Sequence, residues 1–378
     1  LYSDALNPGM DMRSRTADAG LSQIPESLLQ EQMVARESLA WLREQRHRAP
    51  QQPWLLYASF SRPHFPLTAP QRFIDRYAAG RTTPPPVRRS GDSADHPMTL
   101  GAIKGFRCEE IGEQEMMNAR AAYFACVDFL DEMIGDFITL LQRDGLLDNT
   151  IIVYTSDHGE MAGEHGLFWK NTWHEASARV PLIVSTPAQR SGTQSAGAVT
   201  TPVSLADLFP TFCGLGATPP PRNLDGIDLS GVINGTGDDA LATRPAVITE
   251  SLASRWGRGT EFRMARNNRY KYVAFRACED LAFDLHKDPN EQVNLLKGDT
   301  LPPAVDTLRE TALEGFSFDQ IEQVRTEQTE RLKKQFPARV SCQTPNQIMR
   351  GDGLLVEADA PLYAPDVISD DAERDFSR

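Results

Sequence analysis

Two ionisable side chains follow a short apolar run at residues 151–154. The run is rich in β-branched residues and predicts a buried strand, and Asp157 and His158 come directly after it. Ligands of open α/β sheets bind at the carboxyl ends of the strands, where this carboxylate and imidazole can bind a divalent cation. Two ligands are too few alone, because hard cations take about six. An Asp-His pair that only caps a turn is the competing interpretation.

The loop after this pair carries a lysine that suits an oxyanion. Lys170 lies between Trp169 and Asn171, and an ammonium group in such a loop can hold a phosphate or sulfate oxygen. A lysine that is merely solvated is the bland alternative.

Other ionisable groups share this loop: Glu164, His165, His174, Glu175 and Arg179. Arg179 precedes a second apolar run at 180–184, which predicts another strand. A buried ion pair between Arg179 and Glu175 is as consistent with this spacing as a role toward substrate. A polar loop between two buried strands is costly unless it is solvated or does chemistry.

A similar arrangement occurs earlier in the chain. The apolar run at 53–60 predicts a second buried strand, and Arg62 and His64 follow it. His64 can donate a proton or bind a ligand, although a partly buried, hydrogen-bonded histidine is the default interpretation of a single one. If both predicted strands end at the same edge of the sheet, the ionisable side chains that follow them lie together. This favours a functional role for both segments.

The spacing of hydrophobic residues predicts the helices and strands that would position these residues. Apolar residues at three- and four-residue steps predict helices at 25–47, 113–143 and 318–336. Four short strands with tight connections are predicted at 246–250, 262–265, 270–274 and 282–285, with a hairpin signal at Asn267-Asn268. The helix before the strand at 151 predicts a β–α–β-like unit and a mostly parallel central sheet flanked by helices.

Two domains are predicted on this basis. Residues 1–240 form the main α/β domain, and residues 241–378 form a smaller α+β subdomain with the short antiparallel sheet, a helix and a polar tail that wraps the surface.

The composition of the chain argues against some classes of binding partner. The formal net charge of −13 over 378 residues argues against nucleic acid or an anionic membrane surface as a partner. No apolar run approaches the roughly 20 residues of a membrane helix. The five cysteines are scattered without a CxxC pair, which suggests neither a zinc cluster nor a disulfide framework.

Four segments together resemble the sulfatase family of the alkaline phosphatase superfamily. They are LLYASFSRPHFP at 55–66, the stretch 119–170 that ends in SDHGEMAGEHGLFWK, HEASARVPLIV at 174–184, and RYKYVAF followed by LAFDLHKDPNEQVNL within 269–295. The resemblance implies an alkaline-phosphatase-like fold and metal-dependent hydrolysis of a sulfate ester.

The resemblance also implies roles for individual residues. Asp157 and His158 would be ligands of Ca²⁺ or Mg²⁺, and Lys170 and His64 would contact the sulfate group, with His64 assisting the leaving group. A cation, a lysine and an imidazole all stabilise the negative charge that develops on the ester oxygens. Glu164, His165, Glu175 and Arg179 match motif positions and are expected to shape the loop or support the ligands.

One expected feature is missing from the sequence. The family's nucleophile is a formylglycine made in a Cys-x-Pro-x-Arg context, and none of the five cysteines stands in one. The family's N-terminal Asp-Asp pair and Lys-x-His motif are also absent. We therefore expect the nucleophile-bearing N-terminal portion to lie outside these residues, in a longer or a separate chain, and we expect this chain alone to be inactive.

Alternatives to a sulfatase stay open at this stage. A phosphatase or phosphonate monoester hydrolase of the same superfamily, or a non-catalytic binding protein with a relic site, fits the same residues. The expected substrate is a small sulfated sugar, aryl or choline-type ester. Homo-oligomerisation is compatible with the sequence, and a periplasmic or secreted location is expected by resemblance, with a cytoplasmic one as the alternative.

Overall fold

The computed structural model describes residues 14–77, 80–237, 239–253, 255–335, 347–349 and 355–357. Its helices α1 to α12 are, in chain order, Ser14–Ala17, Gln30–Arg48, Gln71–Tyr77, Pro97–Gly105, Glu113–Arg143, Glu175–Ala178, Pro187–Arg190, Leu208–Leu215, Ser230–Ile233, Asp239–Thr243, Pro303–Leu313 and Phe318–Gln335. Its strands β1 to β10 are Gly20–Leu21, Thr68–Ala69, Ile152–Thr155, Leu182–Ser185, Val247–Ser251, Phe262–Arg266, Tyr270–Phe275, Leu281–Asp284, Gln347–Met349 and Leu355–Glu357.

The chain forms two compact units. The first comprises residues 1–85, 106–150 and 341–362, and the second comprises residues 86–105, 151–340 and 363–378. Residue 240 lies inside the second unit, so these units do not fall on the predicted boundary at 240, which stays a prediction. The predicted wrapping tail lies largely outside the described residues.

The first unit is organised around α5. This helix runs from Glu113 to Arg143, as the periodicity predicts, and its buried face contributes Phe129 and Met133 to an apolar cluster with Leu29 and Phe73. Gly145 takes a left-handed φ of 64° directly after the helix. Its N–H donates to Gln142 O and that of Leu146 donates to Leu141 O, which is the hydrogen-bond pattern of a Schellman cap.

The predicted strand at 53–60 is not formed among the described residues. The segment pairs with no described strand, and Leu55 and Tyr57 are 70% and 85% exposed. The prediction of a buried strand here was wrong for this structure, because an apolar run becomes a strand only where neighbouring backbone offers hydrogen-bond partners.

The four-stranded sheet of the second unit confirms the C-terminal prediction. Its order is β5-β6-β7-β8 and every pairing is antiparallel. The Asn267 side chain accepts the backbone N–H of Arg269 and of Tyr270, which closes the predicted hairpin. The buried residues Val305 and Leu308 of α11 pack on Tyr272 and Ala282.

A smaller sheet in the second unit holds the segment of chemical interest. β3 pairs with β4 antiparallel, with Ile152 opposite Ser185, and the described parallel pairing is limited to β1 with β2. The expected mostly parallel sheet therefore does not arise from these pairings. β3 is only half-buried and Ile183 of β4 is 60% exposed, so the burial expected of both runs was also wrong, since no described layer covers these side chains.

Among the helices that are described, none combines the length and apolarity needed to cross a membrane.

Candidate functional site

Asp157 and His158 project from the end of β3, as the sequence predicts. Asp157 is open to solvent, with 83% of its side chain exposed, and its Oδ2 lies 3.5 Å from His158 Nε2. His158 Nδ1 donates to Gly159 O at 2.8 Å. Because a carbonyl can only accept, this bond puts a proton on Nδ1, and Nε2 is the ring nitrogen on the side of Asp157.

Gly159 holds this pair against α6. Its N–H donates to Ser177 O at 2.8 Å, and a Cβ at this position would lie 2.0 Å from Ala176 O. The backbone contact therefore requires glycine at this position. Ser156 Oγ adds a hydrogen bond to His158 O at 2.7 Å, so the turn after β3 is fixed from both sides.

Lys170 reaches the same point from the other end of the loop. Its Nζ donates to His158 Nε2 at 2.5 Å, which joins two residues that the sequence predicted for one site. Burial lowers the pKa of Lys170; the negative charge of Asp157 opposes that shift, and the positive charge of Arg255 adds to it. A carboxylate, an imidazole and an ammonium therefore converge at the end of β3.

Glu160 clamps the loop between these groups. Its Oε1 accepts the backbone N–H of Ala162 at 3.0 Å and that of Trp169 at 2.6 Å. Burial raises the pKa of the Glu160 carboxyl to about 7, against the opposing effect of these N–H donors. The clamp fixes the residue before Lys170, so Glu160 is a positioning residue that sequence reasoning missed. Its place directly after Asp157-His158-Gly159 was the available signal.

His165 and His174 lie inside the second unit and not at this surface. Their ring centroids lie 4.1 Å apart with the ring planes tilted by 40°, and both residues are buried. Burial lowers the pKa of His165 to about 4 and that of His174 well below its ordinary value, and Lys271 adds to both shifts. His165 N–H also donates to Val87 O. These two imidazoles are therefore held neutral as packing groups.

Glu175 belongs to a buried ion-pair network. Lys271 Nζ, with a side chain 0% exposed, lies 2.7 Å from Glu175 Oε1 and 2.6 Å from Glu291 Oε1, and it donates to Trp173 O at 2.9 Å. Burial alone would raise the pKa of Glu175, but Lys271 and Arg266 outweigh it and hold the pKa below its ordinary value. Burial raises the pKa of Glu291.

The pairing considered between Glu175 and Arg179 was wrong, because Lys271 and Arg266 occupy the carboxylate. Arg179 is exposed, and its N–H donates to Glu175 O at the end of α6. Glu164 is half-buried and opens a short 3₁₀ turn at Glu164–Gly166. Lys271 and Glu291 could have been singled out from the sequence, because they lie in RYKY and DPNEQ, the C-terminal segments that resemble the sulfatase family.

His64 belongs to the first unit. Its Nδ1 donates to Phe65 O at 2.9 Å, so Nδ1 carries the ring proton. The preceding Arg62 is buried, with Nη1 2.6 Å from Glu31 Oε2 and Nε donating to Thr68 O. This buried pair anchors the segment that carries His64.

The described cysteines form no disulfide bond. They are Cys108, Cys126, Cys213 and Cys278. Burial raises the pKa of the Cys126 thiol to about 12 and also raises that of Cys278, which keeps both thiols protonated and unreactive. Cys342 lies outside the described residues.

The donor set at the end of β3 suits a divalent cation. Carboxylate oxygen and neutral imidazole nitrogen are both metal ligands, and the Nδ1–H bond to a carbonyl is the usual support of a ligating histidine. Within the described part of the chain, no group of three or more His, Cys, Asp or Glu side chains is arranged to hold a metal ion. Two donors are fewer than a hard cation takes, so this pair alone does not complete a ligand set.

Comparison with solved structures identifies the class of fold. The phosphonate monoester hydrolase of Agrobacterium radiobacter matches with a TM-score of 0.62 at 24% identity, over 83% of this chain and 62% of that one. A 2-O GAG sulfatase matches with a TM-score of 0.59 at 20% identity, over 86% and 68%. The fold is thus the alkaline-phosphatase-like α/β fold of sulfatases, as predicted.

Sequence comparison identifies the family. The model described as Sulfatase matches residues 19–217, and the model described as N-sulphoglucosamine sulphohydrolase, C-terminal, matches residues 163–315. Choline-sulfatase of Rhizobium meliloti (strain 1021) is 30% identical over 285 residues, which are 73% of this chain and 53% of that protein. Arylsulfatase of Clostridium perfringens (strain 13 / Type A) is 28% identical over 291 residues, 75% of this chain and 57% of that protein.

The chain belongs to the sulfatase family. It spans little more than half the length of these two relatives.

Proposed function

We propose that this chain supplies part of the metal and sulfate site of a sulfuric ester hydrolase. Asp157 and His158 hold a divalent cation, Ca²⁺ or Mg²⁺, and Lys170 binds the sulfate oxygens. The observation that carries the proposal is the convergence of Asp157 Oδ2 and Lys170 Nζ on His158 Nε2, at 3.5 and 2.5 Å.

The residues act in a consistent way under this proposal. A bound cation would offset negative charge on the ester oxygens. His158 Nε2 cannot accept from Lys170 and ligate at the same time, so when His158 acts as a ligand its hydrogen bond with Lys170 is lost. The Lys170 ammonium then has donors to direct at an oxyanion. Glu160 keeps the backbone before Lys170 in place while this exchange occurs.

The other assignments are part of the same proposal. His64 contacts the sulfate group and assists the leaving group, and the nucleophile is a formylglycine supplied from outside these residues. The substrate is a small sulfated ester of sugar, aryl or choline type, and the location is periplasmic or secreted. Choline-sulfatase and arylsulfatase, by their names, support the substrate class.

Calorimetric titration of the purified 378-residue chain with Ca²⁺, Mg²⁺ and inorganic sulfate tests the proposal. Asp157→Asn should lower the affinity for the cation by about tenfold or more, since a ligand charge is lost. Lys170→Met should abolish sulfate binding and leave cation binding in place. Asp225→Asn, at an exposed position of the same unit, is the matched control and should change neither.

Each contrary outcome points to a different alternative. A chain that binds neither cation nor sulfate would contradict the proposal and favour a relic site. Tighter binding of phosphate than of sulfate, dependent on Lys170, would favour phosphoryl transfer. Turnover of an aryl sulfate by residues 1–378 alone would contradict the external nucleophile.

A further inference from the structure

Two loops of the second unit are joined directly beside Lys170. The indole Nε1 of Trp256 donates to Asn171 O at 2.6 Å. Asn171 follows Lys170 in the chain and Arg255 precedes Trp256. This hydrogen bond therefore joins the loop that carries Lys170, the proposed sulfate-binding lysine, to the loop that carries Arg255.

The joint is closely packed on its other side. Trp256 is buried and lies on α4, where two glycines leave room for it. A Cβ at Gly101 would lie 2.0 Å from Trp256 O, and one at Gly105 would lie 2.7 Å from the indole ring. Because neither position tolerates a side chain without displacement of Trp256, the loop that carries Arg255 has little freedom at this point.

Arg255 itself faces solvent. The residue is exposed, and its guanidinium carbon lies 5.1 Å from the centre of the Trp256 ring. Two cationic side chains are thus held on adjoining loops, one of them stacked on a fixed aromatic ring.

We propose that Arg255 is a specificity-determining residue that binds a second anionic group, a carboxylate or another sulfate, on a sulfate ester held by Lys170. This inference rests on the proposed function, because Lys170 must bind the first group. Guanidinium groups bind carboxylate and sulfate oxygens through paired N–H donors. The stack on Trp256 reduces the entropy that Arg255 loses on binding, and a doubly anionic ligand can pair one anionic group with each of the two cationic side chains.

Two stable sulfonates test this assignment by calorimetry on the full chain in the presence of Ca²⁺. Propanedisulfonate carries two anionic groups and propanesulfonate carries one, and neither is hydrolysed. Arg255→Gln should weaken propanedisulfonate binding about tenfold, as expected when one charge-assisted contact is lost, and change propanesulfonate binding less than about twofold. Arg255→Lys should recover most of the loss. Arg258→Gln, at another exposed position of the same loop, should behave like the unchanged protein.

The outcomes separate this inference from the proposed function. Propanesulfonate binding that depends on Lys170, together with an equal effect of Arg255→Gln on both ligands or no effect on either, would overturn the inference alone. Absence of propanesulfonate binding by the unchanged chain would overturn both.

Discussion

Two groups of ionisable side chains in the second unit have similar composition and opposite surroundings. The open group consists of Asp157, His158 and Lys170 at the end of β3. The buried group consists of His165, His174, Glu175, Lys271 and Glu291. Both contain histidine, lysine and an acid, and both draw on residues within the stretch 157–175.

The difference between them is the number of partners that each charge has within the protein. Lys271 in the buried group contacts two carboxylates and a backbone carbonyl, so its hydrogen-bonding capacity is used. Lys170 in the open group donates to the His158 imidazole, and Asp157 is largely exposed. A buried charge must be paired to be tolerated, whereas a ligand-binding charge needs access. Four predictions test this division, in order of decreasing effect on stability.

Lys271→Met should have the largest effect. It would leave Glu175 and Glu291 facing each other without their shared cation, and we expect a loss of about 3–5 kcal/mol in the free energy of unfolding. Urea denaturation followed by circular dichroism measures it. The control is Lys297→Met, whose side chain is 45% exposed and 3.9 Å from Asp92 Oδ1; it should cost less than about 0.5 kcal/mol. Similar losses in the two variants would remove the distinction between the groups.

Acid should destabilise the buried group through His165. Its pKa is about 4 in the folded protein against the ordinary 6.5, so the unfolded chain takes up the proton first. The neutral imidazole's contribution is fully present above pH 6.5 and is lost as the pH falls toward 4, by at most about 3 kcal/mol. Glu160 has the opposite effect on stability. Because its pKa is raised to about 7, its contribution to the free energy of unfolding grows as the pH falls from 7 to 4.5. The test is therefore a difference between variants.

His165→Asn should flatten the fall in unfolding free energy between pH 6.5 and 4, measured by urea denaturation at a series of pH values. Asparagine suits the left-handed φ of 54° at this position and does not titrate. His286→Asn, at an exposed histidine, is the control and should keep the slope of the unchanged protein. An equal slope in His165→Asn would mean that the buried imidazole carries no pH dependence.

Gly159→Ala should disturb the support of the open group. The added Cβ would lie 2.0 Å from Ala176 O, and we expect a loss of about 1–3 kcal/mol together with weaker cation binding. The same substitution at Gly135, which is exposed in α5 with nothing within 4 Å of an added Cβ, should stabilise the fold by about 0.5–1 kcal/mol. Thermal denaturation of both variants shows whether each substitution lowers or raises the stability. Stabilisation by Gly159→Ala would show that the contact with α6 is not tight.

Lys170→Met should have the smallest effect on stability. The residue is half-buried and its described hydrogen bond is to an imidazole and not to a carboxylate, so the unfolding free energy should change by less than about 1 kcal/mol. Sulfate binding should nevertheless disappear in calorimetry. A stability loss close to that of Lys271→Met would place Lys170 with the buried group.

The amino-acid sequence by itself determined the elements whose information is local. The 3.6-residue period and Gly145 gave α5 its bounds and its cap, and alternating short runs with Asn267 as the turn residue predicted the sheet β5–β8. The position of the Asp157-His158 pair after a strand was also predictable, because the apolar run before it is local; what this pair and Lys170 bind stays a prediction. Hydrogen bonding and side-chain periodicity act over a few residues, so a single segment carries them.

Only the tertiary structure decided which charges are used up within the protein. Glu175 and Arg179 are four residues apart, yet Glu175 pairs with Lys271 and Arg266 from the distant strands β7 and β6. The run at 53–60 has strand composition without a described partner, and Glu160 gained its clamp from the backbone of Trp169. Pairing and desolvation depend on groups that arrive from elsewhere in the chain. The open and buried groups are therefore alike in sequence and are distinguished by their surroundings in the fold.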